Sequence, residues 1–393
     1  MAYSARVRRR PISQSLVLAA GLLLAACGGG SDSSTAPISN AADSTVSSPD
    51  APTTHAATTV ASTAPPTTAP PTTLPPTIDL TTLPGLFAVI AASCSAEEFV
   101  PQNVVENFVV CTLNPDGTNA KLVSLPGETP SGLAFTRGGT HLWYGDRYTR
   151  FGYVIDLTSG EHRERKRYEP LRSGVSPDGQ LLLFIDPYTY VLTIAHADGS
   201  TFPDGSSSLT VADDTHAYYT EASWAPDSMR FVYLSTNDGN GGELECPEVW
   251  VGAIDGRAPA QITHFAGNSD GAEGCPQWAR WSPTDDQILL YMVGTPAFTV
   301  ENLYVINADG SNLTALTHGL PVFDPSASSP YGSVGSSNTG DWSPDGKYIV
   351  FNVVDGDGYR LAVMNSDGSQ VTPITAAPLG IVTRLVAIRW SQG

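Results

Sequence analysis

Basic residues are scarce in this sequence. Its 393 residues include 20 lysines and arginines against 39 aspartates and glutamates, and lysine occurs only as Lys121, Lys166 and Lys347. When the four arginines of the N-terminal segment are set aside, 16 basic residues remain and the net charge falls to about −23. A surface this acidic repels phosphate groups, because charges of one sign raise the cost of approach. The composition therefore excludes nucleic acid as an expected partner.

Long apolar runs are missing after the N-terminus. The apolar run at residues 16–24 follows four arginines, Arg6, Arg8, Arg9 and Arg10, and is too short to span a bilayer. The run Leu24-Ala25-Ala26-Cys27 resembles a bacterial lipobox. This resemblance implies a signal peptide over residues 1–26, cleavage before Cys27 and attachment of palmitate-type lipid to its thiol. The alternative is a signal peptide that is cleaved elsewhere and an incidental cysteine.

Large apolar and aromatic side chains are rare from residue 28 to residue 83. This stretch consists mostly of Gly, Ser, Thr, Ala and Pro, as in the run P-P-T-T-A-P-P-T-T-L-P-P at residues 65–76. Such a composition cannot bury enough surface to fold, so residues 27–83 are predicted to be a disordered tether and residues 84–393 a folded domain. At about 3.1 Å per residue, an extended tether would lift the domain on the order of 100 Å from a membrane.

Cysteine and histidine are sparse, and their spacing fits no zinc motif. An even number of cysteines in an exported domain favours disulfides. Of three possible connectivities, we choose Cys94 with Cys111 and Cys246 with Cys275. Residues 355–358 and 237–240 place oxygen atoms at alternate positions, as calcium loops do, but the turn chemistry of hairpins explains both runs. No metal and no cofactor are therefore predicted.

A repeated turn and strand dominate the rest of the chain. Residues 341–351 read D-W-S-P-D-G-K-Y-I-V-F, in which Ser343-Pro344-Asp345-Gly346 has the residues of a tight turn and the last four residues predict a buried strand. Related runs begin near residues 136, 176, 225, 282 and 391, 40 to 61 residues apart. A second turn, mostly Asp-Gly, lies between successive copies, as at Asp309-Gly310.

Six turns of each kind predict six units of four strands. The first unit lacks a preceding W-S-P-D-G run, and the last run, Trp390-Ser391-Gln392-Gly393, has no strand after it. We therefore expect the C-terminal strand to complete the N-terminal unit, which removes the open edges of the ring. The fold class is all-β, a six-bladed β-propeller. Trp224, Trp281, Trp342 and Trp390 recur at one position of the repeat and are predicted to be packing residues.

The repeat W-S-P-D-G-x-x-I-x-F followed by an Asp-Gly turn resembles the WD-type repeat of the TolB-like six-bladed β-propeller family. The resemblance covers residues 84–393. It implies the fold, but the fold hosts many functions, so it does not identify one. TolB proteins also have a folded α/β domain before the propeller, and no periodic segment of this sequence predicts such a domain.

The connections between strands predict which face binds a partner. With strands A to D in chain order, the A–B and C–D turns share one face, and here they are tight, as at Asp178-Gly179 and Asp345-Gly346; we call it the tight-turn face. The B–C and D–A connections share the other face and are longer, as in the predicted loop at residues 236–245; we call it the long-connection face. Binding residues collect on loops of a rigid scaffold. The candidates are His216, Tyr218, Tyr219, Asp270, Glu273, Phe323, Asp324 and Tyr331, and the alternative role for each is a rim residue or loop anchor.

A catalytic role has to be considered because the run Gly267-Asn268-Ser269-Asp270-Gly271 matches the motif G-x-S-x-G. A nucleophile elbow needs an apolar strand before the serine and a helix after it, and the flanking residues predict neither. No catalytic residue is therefore proposed. The sequence predicts a monomeric, lipid-anchored, extracytoplasmic propeller that binds an envelope protein or glycan. The alternative is a hydrolase or lyase whose residues converge at the mouth of the channel from separate blades.

Overall fold

The computed structural model describes most of the chain from residue 77 to residue 391. The described residues are 77–91, 94, 108–135, 137–146, 152–165, 174–185, 191–212, 222–237, 243–265, 274–294, 301–317, 340–355, 358–374 and 385–391. They form 24 β-strands and two short 3-10 helices, Leu80–Thr82 and Arg137–Gly139. Within these ranges no helix has the length and apolar character needed to cross a membrane.

The strands form six antiparallel sheets of four strands, which are the six blades. Blade 1 contains β1 (Phe87–Ala91), β2 (Val109–Leu113) and β3 (Lys121–Leu122), and blade 2 contains β4 (Pro130–Phe135), β5 (His141–Asp146), β6 (Gly152–Asp156) and β7 (His162–Arg165). Blade 3 contains β8 (Gly174–Val175), β9 (Leu181–Ile185), β10 (Leu192–His196) and β11 (Leu209–Ala212). Blade 4 contains β12 (Ser223–Trp224), β13 (Arg230–Asn237), β14 (Glu243–Ala253) and β15 (Ala260–Gln261). Blade 5 contains β16 (Cys275–Trp281), β17 (Gln287–Val293), β18 (Glu301–Asn307) and β19 (Thr314–Ala315), and blade 6 contains β20 (Gly340–Trp342), β21 (Tyr348–Asp355), β22 (Gly358–Asn365) and β23 (Thr372–Pro373).

The last strand, β24 (Leu385–Trp390), completes blade 1. It pairs antiparallel with β1, so the strand order of this sheet is β24-β1-β2-β3. Ser391 reinforces the junction: its backbone N–H donates to the carbonyl of Leu86 at 2.9 Å, and its hydroxyl accepts from the N–H of Leu86 at 2.7 Å. The predicted closure of the ring is confirmed, and the sheet edge that β1 would otherwise expose is covered.

The repeated Ser-Pro-Asp-Gly run folds into one hydrogen-bonded turn. In blade 6 the Ser343 hydroxyl donates to Asp345 Oδ1 at 2.7 Å and accepts from the N–H of Tyr348 at 2.9 Å. Gly346 donates its N–H to the Ser343 carbonyl at 2.9 Å and has φ +69°, a conformation that favours glycine. Blade 3 repeats the bonds with Ser176 and Asp178. The motif is repeated because each turn satisfies its own polar groups.

Five apolar clusters join neighbouring blades. They lie between blades 1 and 2, 3 and 4, 4 and 5, 5 and 6, and 6 and 1. The four repeated tryptophans are each at most 7% exposed and point toward the preceding blade. The indole N–H groups of two of them also bond across the interface: Trp224 Nε1 donates to the Gly174 carbonyl at 2.9 Å, and Trp342 Nε1 donates to the Arg280 carbonyl at 3.2 Å. These residues are packing residues, as the sequence indicates.

The ordered region begins before the predicted boundary at residue 84. Ile78 and Leu83 are buried in the cluster between blades 6 and 1, and Leu80 packs against it. The N–H of Ile78 also donates to Thr372 Oγ1 at 3.0 Å. Residues 77–83, assigned from composition to the tether, therefore lie against the propeller. Three apolar side chains at intervals of two or three residues are enough to hold this short segment in the groove.

Candidate functional site

The residues selected from sequence for binding lie outside the described residues. This holds for His216, Tyr218, Tyr219, Asp270, Glu273, Phe323, Asp324 and Tyr331, and also for the predicted anchor, Cys27. Their roles stay predictions. The described strands do define the framework on which the connections of the long-connection face are mounted.

Two B–C hairpins extend this framework. In blade 4, β13 and β14 contain eight and eleven residues; they pair continuously up to Ser235 and Glu248, and after a break in register Asn237 pairs with Glu243. In blade 6, β21 and β22 contain eight residues each and pair as far as Asp355 and Gly358. The prediction of a loop at residues 236–245 is thus wrong at its ends, which are strand. In blade 6 the extra length is continuous ladder, and in blade 4 it contains one further pair beyond the break, so strand pairing makes these projections stiffer than loops would be.

A disulfide between Cys246 and Cys275 joins the base of the blade 4 hairpin to blade 5, with 5.3 Å between the Cα atoms. Cys275 is the first residue of β16. The preceding Gly274 has φ +135°, and a Cβ atom there would lie 2.4 Å from the Val293 carbonyl oxygen. Only glycine fits this entry into the strand. The second disulfide joins Cys94 and Cys111 within blade 1, so both pairings agree with the sequence prediction.

The innermost strand of each blade has one residue directly before the position that the repeated tryptophans occupy in blades 4, 5, 6 and 1. These six equivalent residues form a ring. Its members are Ala134, Gly174, Ser223, Arg280, Asp341 and Arg389. Each of these strands lies at one edge of its sheet, and the innermost strands contact one another between blades 1 and 2, 3 and 4, 4 and 5, and 6 and 1. The position bridges blades: Ser223 Oγ accepts from the N–H of Trp281 at 3.0 Å, and Asp341 Oδ2 accepts from the N–H of Trp390 at 2.8 Å. Blades 5, 6 and 1 carry charged residues here, whereas the other three carry small ones.

The three charged members of the ring are buried. Nη1 of Arg280 lies 3.9 Å from Asp341 Oδ1, and its guanidinium stands 5.0 Å from the centre of the Trp278 ring. Burial raises the pKa of Asp341, although Arg280 and two backbone N–H groups oppose the shift. Burial lowers the pKa of Arg280, and it lowers that of Arg389 to about 9. The bond from the N–H of Trp390 to the Asp341 carboxylate is charge-assisted and helps to orient the innermost strands of blades 6 and 1. Aligning the repeats by their tryptophans would have revealed these positions.

A second buried polar cluster joins blades 1 and 2. The Tyr144 hydroxyl donates to Glu128 Oε2 and lies 2.5 Å from Nε2 of His162, which therefore donates to it. Glu128 also accepts from the N–H of Leu125 at 2.8 Å. Burial, with a contribution from Glu128, raises the pKa of Tyr144 well above its ordinary value. The phenol stays protonated and fixes the connection from blade 1 to blade 2.

Metal ligation finds little support in the described part of the chain. There, no group of three or more His, Cys, Asp or Glu side chains could hold an ion. Asp355 and Gly358 face each other as the last pair of a hairpin closed by two residues. This geometry agrees with the turn that the sequence predicted at residues 355–358.

The fold defines the class of the protein: it is a six-bladed β-propeller closed by its C-terminal strand. Among solved structures it resembles TolB from Acinetobacter baumannii, with 18% identity, a TM-score of 0.56, and coverage of 79% of this chain and 69% of that one. It also resembles a protein of Agrobacterium tumefaciens assigned as TolB, with 15% identity, a TM-score of 0.50, and coverage of 79% and 95%. No protein-family model and no curated protein matches the chain. The chain thus has a TolB-like propeller fold, and at these identities the likeness concerns the fold alone.

Proposed function

We propose that this protein is a membrane-anchored, extracytoplasmic β-propeller lipoprotein that binds a protein or a glycan of the cell envelope through its long-connection face. The observation that carries the proposal is the asymmetry of the two faces. On the tight-turn face, the polar groups of the turns bond to one another, as Ser343 does to Asp345 and Tyr348. On the opposite face, two hairpins project on paired strands of eight to eleven residues.

The rigidity of that face favours binding. The disulfide between Cys246 and Cys275 fixes one projecting hairpin to the strand that begins the next blade. A surface that is ordered before a partner arrives loses less conformational entropy on association. The connections on this face carry the candidate aromatic and acidic residues, which suit contact with a protein or with sugar rings.

The localisation rests on the N-terminal sequence. A basic segment, a short apolar run and Leu24-Ala25-Ala26-Cys27 support export followed by lipidation of Cys27. The Ser/Thr/Pro-rich stretch that follows would hold the propeller away from the membrane. Replacing Cys27 with alanine should release the protein from the detergent phase into the aqueous phase. Unchanged partitioning of Cys27→Ala would contradict the lipid anchor. It would not bear on the proposal that the long-connection face binds a partner.

The binding role is tested by position-specific crosslinking in whole cells. A photo-crosslinker at position 331 should capture one envelope component, whereas the same group at position 347, on the tight-turn face, should capture none. In the protein that carries the crosslinker at position 331, replacing Tyr218, Tyr219 and Asp324 together with alanine should reduce capture at least about tenfold, which corresponds to about 1.4 kcal/mol, with little change in Tm. The matched control replaces the exposed Gln180 and Lys347.

Capture at position 347 instead of position 331 would refute the choice of face. Turnover of an envelope substrate by the purified protein, lost in variants of residues around the channel mouth, would favour the hydrolase or lyase alternative. A partner that is captured at position 331 and released unchanged would support the binding role.

A further inference from the structure

The interface between blades 2 and 3 differs from the other five. At each of those five, the innermost strand contributes an aromatic side chain to an apolar cluster: Phe135, Trp224, Trp281, Trp342 and Trp390. The equivalent residue of blade 3 is Val175, which directly precedes Ser176 of the repeated turn. Among the described residues, no apolar cluster joins blades 2 and 3. The smaller side chain leaves the volume of an aromatic ring unfilled.

A cavity of about 540 Å³ occupies this place. Its apolar walls come from Trp143 and Val154 of blade 2 and from Val175 and Leu182 of blade 3. Thr140 and Gly179, which also line it, belong to the A–B turns of the two blades, so the cavity lies toward the tight-turn face. This volume falls within the range of about 300 to 1,000 Å³ that small-molecule sites occupy.

We propose that the cavity binds a small, flat aromatic compound that is neutral or cationic. Its ring would take the place that a tryptophan indole fills at four other interfaces, against the indole of Trp143 and between Val154 and Leu182. Apolar walls favour compact aromatic molecules because dispersion contacts and hydrophobic transfer both improve when the space between them is filled. Packing of a ring against Trp143 adds the preference of aromatic pairs for each other.

The rim selects the charge of the ligand. Arg163 and Glu164 line the cavity. The Arg163 guanidinium is already bonded to Glu161: its Nε donates to Oε1 at 2.8 Å, and its Nη2 donates to Oε2 at 3.1 Å. His141 lies 3.9 Å from Asp156. Among the side chains described at and beside the cavity, the carboxylates of Asp156, Glu161 and Glu164 outnumber the guanidinium group of Arg163. An anion is disfavoured, and a ligand amine would be attracted to Glu164.

This site is distinct from the long-connection face, so the two proposals succeed or fail separately. The test uses the full-length protein in detergent, titrated by isothermal calorimetry with indole, tryptamine and indole-3-acetate. Wild type should bind indole with a Kd of about 1 mM or below, as nine well-contacted atoms allow. Tryptamine should bind more tightly than indole, and indole-3-acetate more weakly.

Val175→Trp restores the side chain that the repeat has elsewhere. It should weaken indole binding at least about tenfold and leave Tm equal or higher, since it fills a void. The matched control, Val371→Trp, introduces the same side chain at a valine that is 37% exposed on blade 6, and it should leave indole binding unchanged. Glu164→Gln should weaken tryptamine binding about two- to fivefold and not alter indole binding.

If Val175→Trp does not fold, Trp143→Ala is the second variant, and it should weaken indole binding about threefold or more by removing the aromatic wall. The proposal would be overturned if wild type bound neither indole nor tryptamine at 10 mM, a concentration roughly ten times the highest Kd expected for indole. Equal affinities of wild type and Val175→Trp would overturn it as well. Tighter binding of indole-3-acetate than of tryptamine would refute the assignment of charge.

Discussion

At the scale of single residues, Asn352 stands out because its amide is buried without compensation. The side chain is 1% exposed, and among the described residues neither Nδ2 nor Oδ1 has a hydrogen-bond partner. It lies on β21 opposite Leu361, which belongs to the apolar cluster between blades 6 and 1. Asn302 on β18 is equally buried, but its Oδ1 accepts from Thr317 Oγ1 at 3.3 Å. A buried amide without a partner costs about 1 to 3 kcal/mol.

Replacing Asn352 with leucine, a side chain of similar size, should therefore raise the free energy of unfolding by about 1 to 2 kcal/mol, because it removes the desolvation cost of the amide. Urea denaturation measures the change. The control Asn302→Leu should lower stability, since it leaves the Thr317 hydroxyl without its acceptor. Destabilisation by Asn352→Leu would mean that the amide has a partner in solution, such as a buried water molecule.

At the scale of the element, three of the six C–D turns share one hydrogen-bonding pattern. An aspartate accepts from the hydroxyl and the N–H of a serine two residues later, as Asp309 Oδ1 does from Ser311 at 2.6 and 2.9 Å. Asp198 and Asp367 accept in the same way from the N–H groups of Ser200 and Ser369. These bonds lower the pKa of all three carboxyl groups below 3.8. Each bond favours the ionised carboxylate, so the stability that these turns contribute depends on pH.

The sign follows from linkage. Because the pKa is lower in the folded than in the unfolded state, the stabilisation is fully present above about pH 3.8 and is lost as the pH falls through the folded value. Tm should thus fall on acidification below pH 4. The combined variant Asp198→Asn, Asp309→Asn and Asp367→Asn keeps the acceptor oxygens, and its Tm should fall less between pH 5 and pH 3.

The control for this measurement replaces Glu164 with glutamine and Asp285 with asparagine, two carboxylates outside these turns. Its Tm should follow the wild-type curve. If the combined turn variant loses as much stability on acidification as wild type does, the turn carboxylates do not account for the effect.

At the scale of the whole molecule, one strand closes the ring. β24 pairs with β1, and its Ile388 and Trp390 are 0% and 1% exposed. Its backbone is also tied to blade 6, since the N–H of Trp390 donates to Asp341 Oδ2. The strand therefore belongs to two interfaces, and its loss would open both.

Deleting residues 385–393 should remove most of the stability of the domain, about 5 to 15 kcal/mol for a protein of this kind. Thermal unfolding followed by circular dichroism measures the loss. A shorter deletion of residues 392–393 keeps every described strand and serves as the control. A protein without residues 385–393 that melted within a few degrees of the intact chain would contradict the role of β24 in closure.

The number of blades, the turns and the closure were predictable from the sequence because their causes are local. Ser343, Asp345 and Gly346 specify a turn within four residues, and the same chemistry recurs in each copy. Trp390-Ser391 at the C-terminus is a half-repeat whose missing strands lie at the other end of the chain. A short motif with its own hydrogen bonds has the same meaning wherever it occurs.

The tertiary structure decided the features that depend on residues far apart in the chain. The blade 4 connection begins and ends as strand because Asn237 of β13 pairs with Glu243 of β14 beyond a break in register, whereas composition alone favoured a loop. Ile78 is ordered because blade 6 supplies Thr372 and an apolar groove nearly 300 residues away. Arg280 meets Asp341, and the walls of the cavity meet at Val175, only when blades close into a ring. Packing between blades sets these distances, and no local pattern encodes them.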